Sequence, residues 1–318
     1  MATQPPSENP ETLDPAAKPT ALKGVVIGML TGVAFGLGGF LFLRDEKGAM
    51  GSVLFLMLPI AAGFAVALVT SRPELVNACL IVATLLCFAI LLIIGAEGIV
   101  CVLMASPLIA GGLLLGAVCG RFFKRYVLDK SGTPGTLKIL ALLLTPLFLI
   151  GANYLEEPHR RTPREETFVT TLTVDATPES VWEQIKRVDS ISADKPFLMK
   201  IGLPVPVSCV LEGEAVGGRR TCYFDSGYIE ERIVEWNPPV SMKLEIVAVT
   251  LPGRHWLGFK GASYEIQRDG DKTRLIRRTT IISRLYPAWY WRPLEGLGVQ
   301  AEHEYLFADV ARKLSKRE

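Results

Sequence analysis

Five long stretches without a charged residue dominate the first half of the chain: 24–43, 48–71, 75–96, 98–120 and 139–155. A helix rises about 1.5 Å per residue, so roughly 20 apolar residues cross a hydrocarbon core of about 30 Å. The first four stretches reach that length. The fifth is shorter, but Lys138 can extend to the interface and Tyr154 suits the headgroup layer. The pattern predicts five transmembrane helices within residues 21–155.

Regularly spaced glycines mark two of these predicted helices. Spacing of four places them on one helix face, where the missing side chain lets another backbone approach closely. We interpret both faces as packing sites within the chain, with a homo-oligomer or a membrane partner as the alternative. The glycines are Gly24, Gly28, Gly32, Gly36, Gly112, Gly116 and Gly120.

The predicted helices carry no charge in their interior, which favours an anchor or scaffold over a pump or a proton relay. Counted over five spans, the loops on the N-terminal side hold eight Lys and Arg residues and those on the other side hold five. This bias places the N-terminus in the cytoplasm and the second half outside. Residues 1–20 are polar and rich in proline, which predicts a disordered tail.

The second half has the pattern of a water-soluble α+β domain. The segment "TFVTTLTVDA" alternates like a strand, and "TPESVWEQIKRV" follows with Thr177 as N-cap and Pro178 at the first helical position. About six further strands succeed it, two of them joined by "RDGDK", whose Asp-Gly pair favours a tight hairpin. A helix over 293–314 closes the chain, with an apolar stripe on one face.

A long amphipathic helix must bury its stripe against the sheet. If a curved sheet wraps that helix incompletely, an apolar cavity remains between them. The stripe consists of Val299, His303, Leu306, Val310 and Leu314.

Charge and motifs exclude several functional classes. Residues 156–318 contain 24 residues of each sign, so the basic surplus typical of nucleic-acid binders is missing. The sequence has no CxxC spacing, and it has no GxSxG, HExxH, P-loop or dinucleotide-binding motif. We therefore expect no metal, no cofactor and no nucleic acid, and we expect the lipid bilayer and a hydrophobic small molecule as partners.

Three segments carry a family resemblance: "VDATPESVWEQI", "GRRTCYFDSGYIEERIVEWNPP" and "TTIISRLYPAWYWRPLEGLGVQAEHEYLFADVARKL". Through them residues 167–314 resemble the START-like (SRPBCC) superfamily, in particular a bacterial subgroup of polyketide cyclase/dehydrase-like proteins. The resemblance implies a helix-grip fold, in which an antiparallel sheet wraps a long C-terminal helix around a cavity for an apolar or amphipathic molecule. It also suggests a bacterial inner membrane as the location. It implies no reaction, because carriers, sensors and enzymes share this scaffold.

His303 is the candidate catalytic residue because a histidine facing the cavity could act as an acid or base near neutral pH. The alternative is a buried imidazole bonded to a strand. Glu231 and Arg277 could form a polar floor for a ligand headgroup, or they could point outward into solvent. Aromatic residues could line the cavity or simply fill the core. These are Tyr223, Tyr228, Trp236, Tyr264, Tyr290 and Trp291.

Cys209 and Cys222 fall on neighbouring strands of one predicted hairpin, so a cross-strand disulfide is possible, as are two reduced thiols. A polar linker over 156–166 would hold the domain close to the bilayer. The sequence thus suggests a membrane-tethered receptor or shuttle for a lipid-like molecule. The alternatives are a cyclase or dehydratase that uses His303, and a sensor for a membrane partner.

Overall fold

The computed structural model describes residues 17–43, 50–160, 162–251 and 256–315. Most of the predicted tail, 1–20, lies outside these residues, but residues 17–20 already belong to the first helix. Three of the basic residues counted for orientation also lie outside them: Arg44, Lys47 and Arg161.

The N-terminal half is a bundle of helices, several of them interrupted by a π-helical turn. In chain order the elements are α1 (Ala17–Val33), a π turn (Ala34–Gly38), α2 (Gly39–Leu43), a π turn (Val53–Met57), α3 (Leu58–Val69), α4 (Val76–Ile93), α5 (Ile99–Phe123), a π turn (Lys124–Leu128) and α6 (Pro134–Arg160).

Within the described residues, four helices are long and apolar enough to cross a membrane: Lys23–Leu43, Pro73–Ile93, Ile99–Leu128 and Pro134–Pro158. The remaining predicted span, 48–71, corresponds to the shorter apolar helix Val53–Val69. This helix is enclosed by the others, and its Ala65, Val66 and Leu68 side chains are almost fully buried. It therefore forms the centre of the bundle rather than part of its lipid-facing surface.

Both glycine faces are occupied by packing within the chain. A side chain at Gly116 would collide with the carbonyl oxygen of Ile60, because α5 and α3 touch backbone to backbone there. A Cβ at Gly32 would lie 2.8 Å from the Cβ of Ala83 in α4. Glycine is required at these positions because only its bare backbone allows the helices to approach so closely.

Much of the polar linker predicted over 156–166 belongs to regular elements in the structure. Helix α6 continues to Arg160, and the first strand begins at Arg164. Near the end of α6, the Glu156 carboxylate accepts hydrogen bonds from the backbone N–H groups of Ser52 and Val53, at 2.5 and 3.1 Å. A carboxylate is favourable at that position because a helix N-terminus presents unpaired N–H groups and a partial positive charge.

The C-terminal half combines one sheet with three helices, in the order strand, two short helices, six strands and a long helix. The elements are β1 (Arg164–Val174), α7 (Pro178–Lys186), α8 (Phe197–Lys200), β2 (Pro206–Glu212), β3 (Arg219–Phe224), β4 (Gly227–Asn237), β5 (Ser241–Val249), β6 (Leu257–Asp269), β7 (Lys272–Ser283) and α9 (Ala288–Ser315).

Among the described residues seven strands form one antiparallel sheet in the order β1-β7-β6-β5-β4-β3-β2. Local sequence explains where α7 begins and how β6 turns into β7. Thr177 caps α7 by accepting a hydrogen bond from the backbone N–H of Ser180. Gly270 has a φ of +63° in the tight β6–β7 turn, a conformation that suits glycine. The predicted antiparallel sheet and long C-terminal helix are confirmed.

The domain core fills only one end of the space between sheet and helix. Trp182 of α7 and Phe307 and Leu314 of α9 pack there against Met242 and Leu275 of the sheet. At the other end, the first half of α9 lies beside the membrane helices. This unequal filling leaves the cavity described below.

The two halves are joined by an ordered contact as well as by the chain. Met50 donates a backbone hydrogen bond to the Arg284 carbonyl and accepts one from the Tyr286 N–H, at 3.0 and 2.9 Å. Leu285 and Trp291 share one apolar cluster with Phe55, at the start of the central helix. The corner between β7 and α9 is therefore fastened to the helical bundle.

Candidate functional site

A cavity of about 200 Å³ lies between the sheet and α9. Apolar side chains from the sheet, from the β5–β6 connection and from α9 form most of its wall. They include Ile229, Ile246, Leu251, Phe259, Val299 and Leu306. Residues at the start of α5 complete the wall at the bundle side, so the cavity belongs to both halves of the chain; they are Gly98, Val100, Cys101 and Met104.

Two buried ion pairs form most of the polar part of the wall, which also includes Thr279 and Glu295, the latter paired with Arg164. Arg220 on β3 and Glu231 on β4 are joined at 2.6 Å, and Arg277 on β7 and Glu302 on α9 at 2.9 Å. The side chains of Arg220, Glu231 and Arg277 are at most 9% exposed, and that of Glu302 is 18% exposed. All four line the cavity. Each of these charges needs a partner of opposite sign, because moving a charged group from water into the protein interior costs free energy.

Strand alternation explains why these charges point inward. Arg277 shares its face of β7 with the buried Leu275 and Ile281, and Glu231 shares its face of β4 with Ile229 and Ile233. Side chains two residues apart lie on the same side of a strand. The outward, solvated alternative for Glu231 and Arg277 is therefore wrong, and the inward placement is confirmed.

Tyr264 on β6 connects the two ion pairs. Its ring lies 5.3 Å from the guanidinium carbon of Arg277 and 5.8 Å from that of Arg220. A guanidinium over an aromatic face gains cation–π attraction, which strengthens in a desolvated site. The ring thus lies within cation–π distance of both guanidinium groups.

Burial alone would lower the pKa of the Arg220 guanidinium, but the Glu231 carboxylate more than offsets this, and the pKa is raised. Arg277 follows the same pattern, with Glu302 as its carboxylate partner. Burial raises the pKa of Glu302, and Arg277 offsets this effect only in part. Both arginines therefore remain cationic in the site.

His303 lies outside the cavity wall and is fully buried between α9 and the sheet. Its Nε2 atom is 2.7 Å from the hydroxyl of Thr279, and its Nδ1 atom is 2.8 Å from the hydroxyl of Thr170. Burial, together with the positive charge of Arg277, lowers the pKa of His303 to about 2. This arrangement matches the alternative to a catalytic role, a buried imidazole bonded to the sheet. It joins α9 to β7 and β1.

The other residues predicted to contact a ligand lie in different parts of the structure. Tyr264 lines the cavity. Tyr223 and Tyr228 lie on the outer face of the sheet, with ring centroids 6.5 Å apart. Trp236 packs on Trp182 in the domain core.

Tyr290 contacts the bundle, where its hydroxyl donates to the Met104 carbonyl. It therefore stands at the border between the two halves, beside the cavity rather than in its wall. Trp291, its neighbour, does line the cavity.

Sequence analysis missed Arg220 and Glu302. The signal for Arg220 was its position two residues before Cys222, on the inward face of β3. Glu302 had no comparable signal, because it lies one position from the predicted stripe of α9 and only the path of the helix over the cavity turns it inward.

Cys209 and Cys222 stand directly opposite each other on β2 and β3 and form a disulfide at the cavity wall. Of the two alternatives stated for this pair, the structure has the bonded one. Within the described part of the chain, no group of three or more His, Cys, Asp or Glu residues is arranged to hold a metal ion.

No family model and no curated protein sequence matches this chain. Similar solved structures correspond to its C-terminal half. A START superfamily protein from Mycobacterium smegmatis is 12% identical with a TM-score of 0.34, covering 48% of this chain and 99% of that one. A norcoclaurine synthase mutant from Thalictrum flavum is 10% identical with a TM-score of 0.33, covering 49% and 98%. The Aha1 protein from Colwellia psychrerythraea is 11% identical with a TM-score of 0.30, covering 46% and 98%. Similarity at this level gives no information about ligand or activity.

Proposed function

We propose that this chain is an integral membrane protein that binds an amphipathic small molecule in the cavity of its C-terminal domain. The observation that carries the proposal is the combination of apolar walls with a buried Arg/Glu floor, beside the membrane helices. Ligand sites are typically apolar hollows in which a few fixed polar groups orient the bound molecule. Here the floor would orient a headgroup, and the walls would cover the apolar part.

The proposed topology has five passes, with Val53–Val69 as the central one. Its first residues lie near Glu156 and the soluble domain, whereas Thr70, just past its end, accepts a hydrogen bond from Lys124 near the end of α5. The helix therefore runs between the two ends of the bundle. The helix is short, but it is enclosed by longer helices and does not have to match the lipid by itself.

The C-terminal domain is proposed to lie outside the cytoplasm. The distribution of basic loop residues favours this orientation. The Cys209–Cys222 disulfide agrees with it, because disulfides persist in oxidising compartments. Cysteines introduced at Thr133, between α5 and α6, and at Ser226, between β3 and β4, test it. In intact cells a membrane-impermeant maleimide should label the Ser226→Cys protein and spare the Thr133→Cys protein, and the reverse pattern would contradict the proposal.

Binding is tested by native mass spectrometry of the full-length chain released from detergent micelles. We expect a retained amphipathic molecule in the wild-type protein. Arg277→Met should lose it, because this change removes a cation from the cavity floor. Arg278→Met is the matched control, since Arg278 is half-exposed and pairs with Glu265 on β6. A wild-type protein that is always empty, or equal loss in both variants, would contradict the proposal.

A further inference from the structure

The cavity of the C-terminal domain has a neighbour inside the helical bundle. A second cavity of about 130 Å³ lies among α1, α3, α4 and α5. Four residues belong to the walls of both cavities: Cys101, Trp256, Leu285 and Trp291. We call these four residues the junction. The two cavities therefore meet at one place, where the soluble domain sits on the bundle.

The two cavities differ in chemistry in a way that suits an amphipathic molecule. The domain cavity is lined by the two ion pairs described above and by Glu295, whose charge is paired with Arg164. The bundle cavity is lined by small and apolar side chains, such as Ala83, Cys87, Leu91, Ala105 and Ile109. Glu97, the one charged residue in its wall among the described residues, lies at the junction end, where it accepts a hydrogen bond from the Trp256 indole at 3.4 Å.

The junction is a built structure rather than a chance approach of two surfaces. The hydroxyl of Tyr290 donates to the Met104 carbonyl on α5, next to the junction. The backbone of Met50 is hydrogen-bonded on both sides of Leu285. Trp291 packs against Phe55 with ring centroids 4.7 Å apart. These contacts hold Leu285 and Trp291 at the boundary between the cavities.

The arginine floor retains unused hydrogen-bond donors. In the described part of the chain, Nε and Nη1 of Arg277 and Nε of Arg220 are buried and have no hydrogen-bond partner. Guanidinium groups donate and never accept, and their strongest partners are carboxylate and phosphate oxygens. A headgroup that carries such oxygens complements the floor.

From this placement we infer that the two cavities form one binding site for a single-chain anionic amphipath. The carboxylate or phosphate headgroup lies at Arg277 and Arg220, and the alkyl tail passes the junction into the bundle cavity. This inference rests on the proposed function and extends it to a ligand class. One tail fits better than two, because each cavity is small and two of the four wall residues that they share are tryptophans.

Photo-cross-linking of the full-length chain in lipid nanodiscs tests the inference with two probes. One is hexadecanoic acid with a diazirine near the carboxylate, and the other carries the diazirine near the terminal methyl group. Mass spectrometry should locate the first label on strands β3, β4 or β7. It should locate the second on cavity-facing residues of α4 and α5, such as Cys87 and Ala105, in preference to lipid-facing Leu103 and Leu114.

Two alanines on α5 provide a matched pair of variants. Ala105 is buried in the bundle cavity, whereas Ala110 is exposed on the same helix. Ala105→Phe fills the space proposed for the tail. It should lower tail labelling within the bundle by about tenfold, because the added ring would clash with a tail bound there. Ala110→Phe should leave the labelling unchanged. Equal effects of the two changes would overturn the inference. If Ala105→Phe does not fold, the label positions in the wild-type chain decide the question.

The outcomes separate this inference from the proposed function. If the carboxylate-side label is in the domain cavity and the tail label is also confined there, the joined site is wrong and the proposed function stands. If neither probe labels the cavity, both fail for this ligand class. A photoactivatable phosphatidic acid with two acyl chains should not compete with the hexadecanoic acid probe. Effective competition would overturn the single-chain assignment.

Discussion

Arg277 and Glu302 are joined at 2.9 Å across the cavity, linking the edge of the domain core to the helix that closes over it. Placing a full ion pair in an apolar wall is not an efficient way to gain stability, because the cost of desolvation is close to the Coulomb gain. Such pairs are better explained by a task that needs charge at a fixed position. Under the proposed function, that task is the orientation of a ligand headgroup.

The buried Arg220–Glu231 pair should be costly to break from one side. Glu231→Gln leaves a buried guanidinium without its counter-charge, and we expect the free energy of unfolding to fall by about 3–5 kcal/mol. Denaturant unfolding of the full-length chain in detergent measures it. Arg220→Met combined with Glu231→Leu should recover much of the loss.

The exposed pair Arg232–Glu245 provides the comparison, with side chains 56% and 49% exposed. Glu245→Gln should change the same free energy by less than about 1 kcal/mol, because water screens this pair. Similar losses of unfolding free energy at Glu231 and Glu245 would show that water screens the buried Arg220–Glu231 pair as well.

His303 should make the domain sensitive to acid. Its pKa is about 2 in the folded state, below the ordinary 6.5, so the folded protein binds fewer protons between these values. The stabilisation is therefore complete above about pH 6.5 and is lost as the pH falls, by up to about 1.4 kcal/mol per pH unit. His303→Gln, which does not titrate, should flatten this part of the pH–stability curve. An unchanged slope would mean that His303 is protonated in the folded state.

The six cysteines should divide into four with free thiols and two joined in a disulfide. With Cys209 and Cys222 bonded, the denatured and unreduced protein should take up four maleimide groups, at Cys79, Cys87, Cys101 and Cys119. After reduction it should take up six. Mass spectrometry of protein purified without reductant gives the count. Six labels before reduction would place the pair in a reducing compartment and would contradict the proposed orientation.

The contact between α3 and α5 should depend on the absence of a side chain at one glycine. Gly116→Ala forces a methyl group onto the Ile60 carbonyl, and we expect a loss of about 1–3 kcal/mol. Gly111→Ala on the same helix is the control, since its Cβ would meet nothing within 4 Å. That change should be neutral or stabilising by up to about 1 kcal/mol, because alanine favours helix. Thermal unfolding of both variants in the same detergent measures the difference.

The elements of this fold were largely predictable because their patterns are local. The β6–β7 hairpin follows from Asp269-Gly270 and α7 from Thr177-Pro178, and both are present. The face of Arg277 was harder to assign. Apolar residues occur at both parities of β7, with Leu275 and Ile281 on one side and Ile276 and Ile282 on the other. Period-two alternation cannot choose a face when both faces are apolar.

The site itself depends on contacts between distant segments. Cys101 lies in the bundle, and Trp256 lies just before β6. Leu285 lies in the corner between β7 and α9, and Trp291 lies near the start of α9. No local pattern relates them. The polar stretch after residue 155 was predicted as a linker, whereas helix α6 continues through it to Arg160. Only tertiary packing shows that the domain rests on the bundle.

Helix α6 ends at Arg160, close in sequence to the start of β1 at Arg164, and Met50 is hydrogen-bonded to the β7–α9 corner. With two attachments, the domain is held to the bundle at two places. A displacement of Met50 would be transmitted through its hydrogen bonds to the backbone on both sides of Leu285, at the junction. Changes in the shape of the bundle and in the shape of the ligand cavity are therefore mechanically linked.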